Sequence, residues 1–225
     1  MAKQTISSEI FQTLRSRIIR WEYPPGYHLT EEALCQEFNV SRIPVREALH
    51  QLEESHLVEK IPHQGCRVRQ PTEKEINELY DVRLALEGFI VEQLAQNGMD
   101  KATWQQLYDH WQTLYHTDPE EEFDANALAH EDELFHETLA EATENETLIS
   151  ILKGINERLA FVRYTDITTL DRLLETCQQH LPILDAIQKQ NAQQAKEAMC
   201  LNIEYGRRNV ESALKDVLSK AYLLH

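Results

Sequence analysis

From Ser7 to Trp21 the apolar residues Ile10, Phe11, Leu14, Ile18 and Ile19 recur every three or four positions, the spacing of one helix face turned towards a core. Two prolines and a glycine in EYPPGYHLT end that helix. Thr30 is placed to cap a second one over about 31 to 38, whose positive end suits Glu31 and Glu32. Asn39 and Val40 make a turn. Ser41 is placed to cap a third helix running to about His56, with Val45, Ala48, Leu49 and Leu52 inward. Pro44 falls in its first turn, where a missing N–H costs little. LVEKIPHQGCRVRQ then reads as two short strands around a turn at His63-Gln64-Gly65, the glycine permitting a positive φ. Three helices and a hairpin predict a winged helix-turn-helix over residues 1–72.

Beyond RQPT the strand signals stop. Helices are predicted at about 73–97 (closed by Asn97-Gly98), 100–116, 120–142, 146–165, 168–189 and 192–222. Each carries an apolar stripe, as Leu148, Leu152, Ile155, Leu159 and Val162 do in the fourth. The chain is expected to be mainly α, with an antiparallel all-α bundle over residues 73–225.

The length of 225 residues suits two modest domains. No stretch approaches the roughly 20 apolar residues of a membrane span, and the first residues lack the apolar core of a signal peptide. A cytoplasmic protein with no membrane partner is expected. Cys35, Cys66, Cys177 and Cys200 lie far apart without a C-x-x-C pair, which argues for buried or idle thiols rather than a zinc ribbon or a disulfide framework.

The charge changes the picture more. Residues 1–72 hold nine Lys/Arg against nine Glu, so the whole net charge of -16 lies on residues 73–225. A neutral head with clustered arginines joins an acidic body that would not itself attract nucleic acid. In a helix-turn-helix the second helix enters the major groove, and its first residues reach the bases. Here those are Ser41, Arg42, Ile43, Val45 and Arg46. Arg42 and Arg46 are separated by about 40° around the helix and share one face. Arginine's planar fork matches guanine O6 and N7 together, while Arg67 and Arg69 on the wing suit phosphates.

The run YPPGYHLTEEALCQEFNVSRIPVREALHQLEESHLVEKIPHQGCRV resembles the N-terminal domain of the GntR family of bacterial transcription regulators over about residues 8 to 70. By that resemblance Ser41, Arg42 and Arg46 match base- and phosphate-contacting positions, and Gly65 matches the wing-tip glycine. Glu32 stands where the family's fatty-acid regulator has a DNA-contacting arginine, so that contact is not carried over.

HEDELFHETLAEATENETL, with ELYDVRLALEGFIVEQLAQNG before it and QQHLPILDAIQKQNAQQAKEAM after it, resembles the FCD ligand-binding domain of the FadR-like subfamily. That resemblance implies six or seven helices around a pocket where an Asp and three His often hold a divalent metal. Asp132, His136 and His180 match three ligand positions, and Asn202 stands in place of the last histidine. Asp132 and His136, four apart, share a helix face, a spacing equally that of an ordinary helix pair. An amide oxygen is a harder, weaker donor than imidazole, so a zinc- or nickel-like ion is held less well and the site leans towards oxygen-preferring ions. His130 is about 240° around the helix from His136, which excludes both an extra ligand and an H-E-x-x-H protease pattern.

Effectors in the subfamily are typically small organic acids. A cation or a buried arginine must attract one into an acidic bundle, and Arg83, Arg163, Asn202 and Tyr205 are the candidate effector contacts. The resulting expectation is a ligand-responsive regulator, most often a repressor, that reads a palindromic double-stranded DNA operator as a homodimer. Two other readings are a DNA-binding dimer whose pocket has lost metal and effector, and a metal-dependent hydrolase with a DNA-binding head. The hydrolase lacks a nucleophile motif and a glycine-rich phosphate loop.

Overall fold

Thr5 opens the first helix, α1 (Ile6–Ile19), by accepting a hydrogen bond from the Ser8 amide. The helix stops just short of Trp21, whose left-handed φ of 61° breaks the repeat. Thr30 caps α2 (Glu31–Phe38) through the Ala33 amide at 3.3 Å, and Asn39 ends it in the left-handed conformation. After that turn comes α3 (Arg42–Glu54), two residues shorter than its apolar pattern suggests because His56 turns left-handed. The hairpin is β2 (Val58–Ile61) and β3 (Gly65–Val68). A third strand, β1 (His28–Leu29), pairs antiparallel with β3, giving the order β1-β3-β2. Two residues are too few to show alternation, which is why the sequence pattern does not reveal β1. Leu14, Ile18, Val45, Ala48, Leu52, Val58 and Val68 form the core of this part.

Gly65 is demanded by the backbone. Its φ is +89°, and a Cβ there would lie 2.4 Å from the Leu29 carbonyl oxygen of the neighbouring strand.

This computed structural model describes residues 5–62, 64–116, 125–163 and 170–222, with the backbone alone for 125–127, 161, 163, 170 and 211–222. The chain divides into two units, Met1–Thr72 and Glu73–His225. Among the described residues the second unit is a bundle of α4 (Glu73–Asn97), α5 (Lys101–Tyr115), α6 (Ala125–Glu141), α7 (Glu146–Arg163), α8 (Leu170–Gln188) and α9 (Ala192–Tyr222). Gly98, with φ +87°, terminates α4, and the Asp100 carboxylate then caps α5 through the Thr103 amide at 2.8 Å. The extensions expected at 120–124, 164–165 and 168–169 lie outside the described residues.

Helix α9 packs along α4 and α8, and α5 along α8. The Trp104 indole N–H donates to the Leu184 carbonyl at 2.9 Å, fixing α5 on α8. Phe135, Leu139, Leu152, Leu159, Ile183, Leu184, Met199 and Ile203 fill the interior. All four cysteines are free, and burial pushes the Cys177 thiol up to about 12. No described helix is long and apolar enough to cross a membrane.

Candidate functional site

On α3 the arginines and the core residues separate by face. Arg42, Ile43 and Arg46 are exposed, Ile43 at 69%. Val45 is fully buried with Ala48, Leu49 and Leu52. The expectation that Val45 reads bases is therefore corrected: its side chain anchors the helix to the core and reaches no groove. Ser41 occupies the N-cap position, but its hydroxyl makes no capping hydrogen bond.

Arg46 Nε lies 2.8 and 2.9 Å from the two carboxylate oxygens of Glu31, at the start of α2. That hydrogen bond holds the Glu31 carboxyl below its ordinary range and raises the Arg46 guanidinium. On the wing, Arg67 Nε donates to Glu59 Oε1 at 2.8 Å across the β2–β3 pair. Arg42 has no ion-pair partner among the described residues.

In the bundle, Asp132 and His136 from α6 and His180 from α8 converge, each with one donor atom within 4.8 Å of the others. His180 Nε2 is 3.3 Å and His136 Nε2 3.9 Å from Asp132 Oδ1. The His180 ring stacks on Phe135 with 3.7 Å between centroids, and Trp111 meets it edge-on at 4.2 Å. Burial pushes the His180 imidazole down to about 4, against the opposing pull of Asp132. It is therefore neutral at pH 7, the form that ligates metals. Neither buried His180 ring nitrogen makes a well-aligned hydrogen bond among the described residues, although Asp132 Oδ1 lies 3.3 Å from Nε2.

A buried polar atom without a partner is costly, and a cation accepting the nitrogen lone pair removes that cost. Two imidazoles and a carboxylate form a donor set for a first-row divalent ion with open positions. These residues fit such an ion.

A buried chain extends the site towards α4. Arg83 Nε donates to Glu87 Oε1 at 2.6 Å, and the other Glu87 oxygen contacts His136 Nδ1. Burial pushes the Glu87 carboxyl up, but Arg83 and His136 outweigh it and bring it to about 2. A carboxylate only accepts, so His136 Nδ1 carries a proton and Nε2 faces Asp132.

The expected effector contacts are differently engaged. Arg83 is buried, as is expected of a candidate effector arginine, and its charge is met by Glu87. Asn202 Nδ2 donates to Gln179 Oε1 at 3.0 Å, and the Tyr205 hydroxyl donates to Glu175 Oε2 at 2.6 Å. The Arg172 guanidinium lies over the Tyr205 ring at 4.9 Å. The Arg163 side chain lies outside the described residues. Sequence reasoning missed Glu87, Trp111 and Phe135. The four-residue step from Arg83 to Glu87 is a signal that could have found the first. The two aromatics meet His180 from other helices, and no local spacing reports that.

Comparison with known proteins accords with both halves. Residues 6–68 match the model of bacterial regulatory proteins of the gntR family, and residues 78–204 match that of the FCD domain. The HTH-type transcriptional regulator YdhC of Bacillus subtilis is 26% identical over 92% of each chain. The gluconate operon transcriptional repressor of Bacillus licheniformis is 35% identical over 63% of this chain and 57% of its own length. A crystal structure of a GntR transcriptional regulator from Rhodococcus sp. RHA1 superposes with a TM-score of 0.75 at 24% identity, covering 92% of this chain and 98% of that one. The chain belongs to the GntR family of bacterial regulators, with a helix-turn-helix head and an FCD domain. It is a DNA-binding transcription regulator, and the family is one of regulators rather than enzymes, which sets the hydrolase reading aside.

Proposed function

We propose that the chain is a cytoplasmic repressor that binds a palindromic operator as a homodimer and responds to a small organic acid at a divalent ion held by Asp132, His136 and His180. Arg42 and Arg46 would read guanines, and Ile43, exposed between them, suits a thymine methyl. Ser41 and Arg67 would contact phosphates and fix the register, with Gly65 holding the wing in shape. Two heads related by a twofold axis match a palindrome. Val82 and Phe89, exposed and seven apart on α4, give the bundle an apolar stripe suited to a second copy.

The observation that carries the ligand half is His180: fully buried, neutral, and without a well-aligned hydrogen bond though 3.3 Å from Asp132. A bound ion supplies open coordination positions for a carboxylate, which this acidic bundle would otherwise repel. Asp132, His136 and His180 supply three donors, which leaves room for an exogenous one, while Asn202 donates its Nδ2–H to Gln179. Elemental analysis, followed by thermal-shift screening of organic acids with and without chelator, tests this reading. Acid-dependent stabilisation that chelator abolishes supports it. No bound metal and no response to any acid would leave a DNA-binding dimer with an inert bundle.

A further inference from the structure

Two carboxylates flank the His136 ring. Asp132 lies on the Nε2 side, 3.9 Å away, and Glu87 lies in direct contact with Nδ1. A proton on Nε2 would turn towards Asp132, tie ligand to ligand, and leave no lone pair for an ion. Neutral imidazole in water favours that Nε2–H form, so the ligand-competent form needs a cause within the fold. The ring itself is confined: it is 2% exposed, and the Phe135 and His180 rings meet it edge-on with centroids 5.4 and 5.5 Å away.

We infer that Glu87 is a positioning residue for the metal centre, accepting Nδ1–H so that His136 presents its Nε2 lone pair alongside Asp132 and His180. The inference rests on the metal reading of that site and deepens it. Glu87 serves only because Arg83 accompanies it. A carboxylate that is 1% exposed is costly alone, and the guanidinium at 2.6 Å from its other oxygen compensates the charge. Arg83 therefore supports the site from behind by holding Glu87 in its charged form. The pair sits on α4 and the ligands on α6 and α8, so three helices must be in register for the donor set to form. A carboxylate behind a ligating histidine raises its basicity and fixes its orientation, and removing such a partner typically costs about 10- to 100-fold in metal affinity.

The test uses the full chain stripped with chelator, long-range proton–nitrogen NMR of the histidine rings, and calorimetric titration with zinc. The wild type is expected to show His136 protonated on Nδ1 and bare on Nε2. In Arg83→Met/Glu87→Leu, which removes the acceptor without stranding a buried charge, the proton is expected on Nε2 and zinc affinity to fall about 10- to 100-fold. Glu87→Gln, which keeps a neutral acceptor, should lie between the two. A wild-type proton on Nε2 overturns the inference without recourse to any variant. Zinc uptake that His136→Ala abolishes but the double variant leaves unchanged overturns the role of Glu87 alone. Failure of the wild type to take zinc overturns the metal reading on which it rests.

Discussion

Arg46 Nε is held between the two carboxylate oxygens of Glu31, 2.8 and 2.9 Å away, so the start of α2 aims a side chain of α3. Exposed pairs of this kind add little stability, and the consequence lies in where the guanidinium points. Glu31→Gln should leave the melting temperature essentially unchanged. Affinity for random duplex should rise, because one negative charge near the phosphates is gone, while preference for the operator falls. Fluorescence anisotropy with operator and scrambled duplexes measures both. An equal shift for the two would show that the pair does not orient a base reader.

Gly65→Ala places a methyl 2.4 Å from the Leu29 carbonyl at a φ of +89°. The strain is of the order of 1 to 3 kcal/mol and falls on the β1–β3 pairing. The head should melt earlier in calorimetry and bind operator less well, with zinc binding by the bundle unchanged.

His180 makes the metal-free bundle sensitive to acid. Its folded value of about 4 lies below the ordinary imidazole value of 6.5, so the unfolded chain binds more protons between those limits. Its contribution is fully present above pH 6.5 and is lost as pH falls towards 4, amounting to about 3 kcal/mol at most. Denaturant titrations of chelator-treated protein across that window should show the slope, and His180→Phe should flatten it.

Zinc at one hundred times its dissociation constant should stabilise the wild type by about 2.7 kcal/mol, since it binds the folded state alone. His136→Ala should carry no ion and show no zinc-dependent shift. Thermal melts with parallel elemental analysis check both.

The helices were legible because their apolar stripes are long, and α2 was legible to the residue because Thr30 and Asn39 mark its ends. β1 was not, since His28 and Leu29 become a strand only through β3. Asp132, His136 and His180 are legible through a family resemblance, whereas the contact of Glu87 with His136 exists only once α4 stands beside α6. Val45 shows the limit of reading by position: its place in the recognition helix points to DNA, and its burial assigns it to the core.

The central claim is that α3 presents Arg42 to base edges. Anisotropy titration of wild type and Arg42→Ala against the operator and a scrambled duplex at fixed salt tests it most directly. The account predicts that Arg42→Ala keeps the wild-type melting temperature, loses about 10- to 100-fold in operator affinity, and changes little on the scrambled duplex. Unchanged discrimination between the two duplexes would contradict it.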